Sequence, residues 1–359
     1  MLLCAFTALS LLPSSCSKDP IRQKIIDPDT TRAANYENGI FIINEGNFNW
    51  GNASVTYLDN ASNHVFQDVF AKSNSRSLGD VAESMTIVNG LGYLVINNSN
   101  RIEVVSLKDF KSVKTIEGLH LPRFLQVIDS NKAYVTNLLN SISIIDLKTN
   151  MVTKAIQTNS WTENLVRYNK CVFVTSIGSF NKPSSQRNAQ ILVIDIGTDA
   201  VVDSIQTGKE PIGLVLDKYQ KLWALCSGGY DNYEAPALLR INPDLRIVEK
   251  EFTFPNLQEV PGRLCINPTG DTIYFLKGGV FQMPVLSQTL PGQALINDDG
   301  RLFYGLNIHP VSGYIYVSDA KDYVQNGTAF QYTVHGNLIT HYATGRIPGS
   351  FCFTRGAIR

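Results

Sequence analysis

The stretch YVTNLLNSISIIDLKTN, residues 134–150, decides the fold. Tyr134 and Val135 open a β-type run, and Asn137 to Asn140 interrupt it. Ile142, Ile144, Ile145 and Leu147 then surround Asp146 before a Lys-Thr-Asn turn. Two apolar alternations around a polar break read as a pair of strands. What matters is whether the pair stands alone or is one copy of a repeat.

It is a repeat. First runs with a leading aromatic occur at IFIIN (40–44), YLVIN (93–97), YVTN (134–137), VFVTS (172–176), LWALC (222–226), IYFLK (273–277) and IYVSD (315–319). Each is followed by a second run: VTYLDN, IEVVSL, ISIIDL, ILVIDI, LLRINP, VFQMPV and AFQYTV. Third runs such as VFQDVF, SVKTI, VTKAI, VVDSI, IVEKEF and LITHYA follow in most copies. A fourth run precedes each aromatic one: SMTIV (84–88), FLQVI (124–128), NLVRY (164–168), GLVLD (213–217), RLCIN (263–267) and YGLNI (304–308). Short strands repeating every 40 to 50 residues or so are the signature of propeller blades. The first copy lacks its leading strand, and PGSFCFT (348–354) at the C-terminus matches it. The expected fold is therefore all-β: a seven-bladed propeller of four-stranded blades spanning 36–359, closed by the C-terminal strand completing blade one.

YVTN followed by SIIDLKT resembles the bacterial seven-bladed propellers of the YVTN and NHL type. That resemblance covers nearly the whole chain after the leader. It is specific for fold, and it says little about function, because propellers host unrelated activities.

The N-terminus reads as a leader. Residues Met1 to Leu12 are uncharged and too short to span a bilayer. Ser14-Ser15-Cys16 then resembles a bacterial lipoprotein signal, although Pro13 stands where that pattern prefers an aliphatic residue. On this reading 1–15 is the signal peptide, Cys16 carries the lipid, and 16–35 is a polar tether. An ordinary cleaved signal peptide is the alternative. The implied location is the outer membrane, lipid-anchored and facing the cell surface, with a periplasmic or secreted protein as the other option. Leader and propeller together resemble the surface propeller lipoproteins of gut bacteria, one subgroup of which binds cobalamin beside an outer-membrane transporter.

Composition excludes several classes. Lys+Arg and Asp+Glu are both 31, and without a basic run nothing predicts nucleic acid. Cys171, Cys226, Cys265 and Cys352 lie in separate apolar runs without a CxxC pair, as buried thiols do. The five histidines form no metal spacing, and GxSxG is absent. No metal or cofactor is called for, and a non-enzymatic binder is the expectation. A propeller lyase or hydrolase would need a His and an acid converging from different blades.

Loop length points to a binding face. Loops inside the aromatic hairpins and loops between blades open on one face, and most long ones belong to these sets: 45–54, 71–83, 176–190, 226–237 and 318–328. A propeller that lengthens one face uses that face. Phe48, Trp50, Trp161, Phe180, Tyr230, Tyr233 and Tyr323 are expected there, with Arg76, Arg123, Arg187, Arg263 and Arg346. Aromatic and Arg side chains give large contact area at small entropic cost. They suit a small molecule or glycan, and a corrinoid in particular by the resemblance. A protein partner in an adhesion or scaffold role is the alternative.

Overall fold

The computed structural model describes residues 35–178, 189–208, 210–229 and 234–354. The candidates Cys16, Phe180, Arg187, Tyr230 and Tyr233 lie outside the described residues. Seven four-stranded antiparallel sheets form a ring. Their innermost strands are Pro348–Phe353, Ala82–Val88, Pro122–Val127, Trp161–Tyr168, Pro211–Leu216, Gly262–Ile266 and Phe303–Ile308, for blades one to seven. These seven contact one another in sequence around the axis.

The second and third strands of each blade are buried on both faces, since other blades pack against them. This is why runs such as Ala133 to Asn137 and Ile191 to Ile194 are apolar or small throughout rather than alternating. Core clusters therefore sit between blades: Tyr93 and Val95 of blade two pack with Val135 and Ile145 of blade three. Outer strands touch one neighbour and alternate with polar residues, as in Met151–Gln157.

The opening motif shows what each letter does. The Tyr134 hydroxyl donates to Asp199 in the third turn of blade four, a charge-assisted bond between blades. Tyr93 repeats this one blade earlier, donating to Asn150 Oδ1 at 2.7 Å. The Asn137 side chain donates to Ser141 O at 3.1 Å and Ser143 Oγ at 3.1 Å, closing its hairpin. Asp146 accepts the Lys148 and Thr149 amides at 2.8 and 2.9 Å, forming the Asx turn that ends the third strand. Asp195 and Asn242 do the same in blades four and five.

Two elements differ from the sequence reading. VFQDVF is expected to be a strand, yet only Val65–Phe66 pair; Asp68 turns left-handed and a helix, Val69–Asn74, follows. Val69 and Phe70 are buried in blade one's core, so packing overrides the strand pattern. In blade six the outer strand is also two residues, Ile296–Asn297, after the longer connector 285–295.

Closure is a register of five pairs between Ile40–Asn44 and the C-terminal strand, from Ile40 opposite Phe353 to Asn44 opposite Pro348. Beyond it Thr354 Oγ1 accepts from Gly39 N at 2.7 Å and donates to Gly39 O at 2.9 Å. A chain ending at Ile347 would leave Gly39–Asn44 as an unpaired inner edge, a site for aggregation. Such a truncation is expected to lose the single cooperative melting transition and to elute as aggregates. A monomeric truncation with an unchanged melting midpoint would show closure to be dispensable. Thr354→Val loses both bonds and leaves the Gly39 amide without its acceptor, which should cost about 1–3 kcal/mol.

Candidate functional site

Six of the seven inner strands break register against the second strand of their blade near their N-terminal end: at Ala82/Ser84, Pro122/Leu125, Thr162/Leu165, Pro211/Gly213, Gly262/Cys265 and Phe303/Leu306. Blade one shows the same irregularity between Ile43 and Asn44. A β-bulge turns a side chain out of the pleat. The bulged residues are Glu83, Arg123, Glu163, Ile212, Arg263 and Tyr304, with Gly349 at the corresponding place in blade one.

Hydroxyls of the second strands hold these bulges. Thr136 Oγ1, from the opening motif, accepts from Phe124 N at 3.1 Å and donates to Glu163 O at 2.6 Å. Thr175 accepts from Asn164 N at 2.8 Å, and Ser318 accepts from Gly305 N at 2.8 Å. The accepted bonds satisfy the Phe124, Asn164 and Gly305 amides beside the bulges, and the donated one satisfies the Glu163 carbonyl.

The bulged side chains meet at the long-loop end of the central channel. Arg123 forms two bonds to Glu163, Nε to Oε2 at 2.8 Å and Nη2 to Oε1 at 2.5 Å, and a third from Nη1 to Glu83 Oε2. Across the ring, Arg263 donates through Nε to Tyr304 O at 3.0 Å and lies 4.9 Å from the Tyr304 ring centroid. Its Nη2 reaches Glu45 Oε1 at 3.3 Å, and the Tyr304 hydroxyl donates to Glu45 Oε2 at 2.9 Å. Glu45 comes from the first hairpin loop of blade one. A Cβ on Gly349 would lie 2.2 Å from Glu45 Oε1, so Glu45 takes the space that a bulged side chain would use in that blade.

The cavity at this mouth is ≈ 610 Å³, bordered by Arg123, Glu163, Ile212, Arg263, Tyr304 and Tyr323 among others. Glu83 is 2% exposed, and its Oε1 has no hydrogen-bond partner. Burial pushes its carboxyl from the ordinary 4.5 up to about 7; Arg123 pulls the other way, and Glu45 and Glu163 add to the rise. Burial, with Glu45 beside it, also raises the Tyr304 hydroxyl, which therefore stays a donor. Arg263 Nη1 faces no partner among the described residues, leaving an open donor at the cavity. No histidine borders this cavity, and no group of three metal-ligating side chains converges among the described residues. Among the described residues, the chemistry on offer is hydrogen bonding and charge from fixed groups.

The other sequence candidates lie around this centre. Phe48 and Trp50 are 65% and 76% exposed at the tip of the blade-one loop. That loop is tied to blade seven by Asn47 Nδ2 donating to Tyr323 O at 2.5 Å. Tyr323 stands edge-on to Tyr304 with centroids 5.7 Å apart. Trp161 is half-buried at the start of its inner strand, opposite Gly178. Arg346 is exposed off the axis, its Nε donating to Val324 O at 2.8 Å. Arg76 is on the flank of blade two, clamped bidentately on buried Glu103 at 3.1 and 2.9 Å and stacked 4.9 Å from Phe70. Glu45, Glu83, Glu163, Ile212 and Tyr304 are absent from the sequence candidates, although they complete the ring.

The chain belongs to the family described as domain of unknown function DUF5074, whose model matches residues 38–344. No curated protein matches it. Among solved structures it is similar to a quinonprotein alcohol dehydrogenase-like protein from Bacteroides thetaiotaomicron, at 17% identity and TM-score 0.67, over 89% of this chain and 79% of that one. A functionally unknown protein from Desulfotomaculum acetoxidans is 15% identical, with TM-score 0.64 over 89% and 99%. Hydrazine synthase from Kuenenia stuttgartiensis is 16% identical, with TM-score 0.58 over 75% and 88%. At such identities the likeness is one of fold, and enzymes stand among the bearers of that fold.

The raised Glu83 carboxyl gives a signed expectation. Its folded value lies above its ordinary one, so its contribution to stability is complete below about pH 4.5 and is lost as pH rises through about 7. Glu83→Gln removes that loss. Its melting temperature should fall less than the parent's between those two pH values. Parallel pH profiles for the two proteins would refute the assignment.

Proposed function

We propose that this protein is a non-enzymatic binding propeller whose recognition surface is the long-loop face, centred on the charged channel mouth. The observation that carries this reading is the ring itself: Arg123, Glu163 and Arg263 border one cavity, with Glu83 bonded to Arg123 and Glu45 to Arg263. Burying charges costs several kcal/mol per ion, and a well-packed apolar plug is often at least as stable. A fold that needed only stability has no reason to set charges there. Bulges that aim polar groups at one point are a feature of sites.

The surroundings support a ligand with an apolar body and polar edges. Phe48, Trp50, Tyr323, Val324 and Val260 are exposed large apolar residues on the same face. Rigid aromatics near fixed donors hold a ligand at small ordering cost. The narrower form of the proposal follows the resemblance to surface propeller lipoproteins. In it, Cys16 anchors the chain, and the face captures a corrinoid or another nutrient for an outer-membrane transporter. Tethered capture raises the local ligand concentration at such a partner.

The test is titration calorimetry with cyanocobalamin and a panel of neutral oligosaccharides, alongside thermal melting. A ligand at 100 times its Kd stabilises by about 2.7 kcal/mol and raises the melting temperature. Phe48→Ala with Trp50→Ala should weaken binding by about tenfold or more, and Arg263→Gln should do the same. Affinity unchanged in both variants would move the site off this face. Failure of every probe to bind, with an envelope protein captured instead, would favour an interaction scaffold.

A further inference from the structure

A cavity larger than the channel mouth lies off the axis. It is a cleft of ≈ 1050 Å³ between blades seven and one, opening off-centre on the long-loop face. Its origin is the short outer strand of blade one. Val65–Phe66 pair only with Tyr57 and Leu58, so the start of the third strand, from Ser54, has no outer neighbour. The chain instead leaves through Asp68 into the helix Val69–Asn74. Across the gap stands the outer strand of blade seven, Leu338–Arg346. The recess is thus bounded by two blades and a helix.

Five polar side chains line this cleft with donor or acceptor atoms that no described residue engages. Asp68 Oδ1 is buried and has no hydrogen-bond partner. Burial raises the Asp68 carboxyl, against the pull of the Ala71 amide and Lys72. The Thr328 hydroxyl, the His341 ring nitrogens, Lys321 Nζ and the terminal nitrogens of Arg346 also border the cavity and bond to none of the described residues. Arg346 uses only its Nε, on Val324 O. In a chain of zero net charge, two permanent cations and a histidine face one carboxylate here. Such an excess of donors is what an oxyanion needs. Asp68, Thr328 and His341, deeper along the same walls, offer the mixed acceptors and donors that hydroxyl groups need.

We propose that the cleft between blades seven and one is a second binding site, separate from the channel mouth. Its ligand is a small polyhydroxylated molecule bearing an oxyanion, a sugar acid or a sugar phosphate. Lys321 and Arg346 hold the oxyanion at the rim. Asp68, Thr328 and His341 take the hydroxyls. The channel mouth differs in kind, because Arg123 there is already neutralised by two carboxylates.

Titration calorimetry of the full chain with glucuronate, glucose 6-phosphate, inorganic phosphate and glucose tests this. Glucuronate or glucose 6-phosphate should bind at least about tenfold more tightly than glucose, and more tightly than inorganic phosphate. The better of the two assigns the oxyanion as carboxylate or phosphate. Lys321→Gln with Arg346→Gln should remove that preference over glucose. Ala343→Trp, at an exposed position on the cleft wall, should abolish binding by filling the space while leaving the melting temperature unchanged. Equal binding of glucose and the anionic sugars overturns the proposal. So does undiminished affinity in Ala343→Trp, or no binding of either anionic sugar below about 10 mM.

Discussion

The structure depends on a small irregularity repeated around an axis. An inner strand of a propeller blade is a poor place for a polar site if it stays regular, because its side chains alternate between two packed faces. A bulge near the start of the strand changes this. It releases one residue per blade from the pleat and frees an amide that must be satisfied elsewhere. Thr136, Thr175 and Ser318 supply the missing acceptor from the second strand. The polar members of the opening motif therefore reach past their own hairpin: Asn137 closes it, and Thr136 fixes the backbone that carries Arg123 and Glu163.

This explains what was legible in the sequence. Blade number, strand count and ring closure follow from aromatic runs and their spacing, because interblade packing demands apolar residues at fixed places in every copy. The channel ring was hidden by boundaries. Four of the apolar runs marking inner strands, such as SMTIV, FLQVI, NLVRY and GLVLD, begin one residue after the bulged one. Ala82–Val88, Pro122–Val127 and Trp161–Tyr168 in fact start two or three residues earlier than their runs. Bulged positions carry whatever the site requires, here Glu, Arg, Glu, Ile, Arg and Tyr, so no shared residue type marks them. Aligning the inner strands on their apolar residues places these six in one column. Glu45 was out of reach even so, because only the Gly349 backbone shows that a loop residue from the other end of the chain occupies that sector.

The outer rim obeys a looser rule. Outer strands touch one neighbour, so their loss is tolerated where another element covers the core. Val69 and Phe70 cover it in blade one, and the price is an open recess beside blade seven. The exposed loops were easier to read than the recess, since length and aromatic content are visible directly. Arg76 shows the limit of that reading. An arginine in a long loop beside aromatic residues is engaged by Glu103, a buried carboxylate thirty residues or so further along, for which no local pattern gives notice.

The hybrid blade also has a temporal meaning. Gly39 and Thr354, which bond at the end of the closing register, are 315 residues apart in the chain. During synthesis the first strands to emerge wait for the last, and an inner edge stays open until Pro348–Phe353 leaves the ribosome. Contacts of such sequence separation are slow to form and leave intermediates prone to association. Gly349 and Ser350 are on that final strand, and Ser350 Oγ donates to Glu83 O at 3.1 Å. The channel ring is thus assembled last, so a nascent or C-terminally clipped chain holds most of the propeller without a finished mouth.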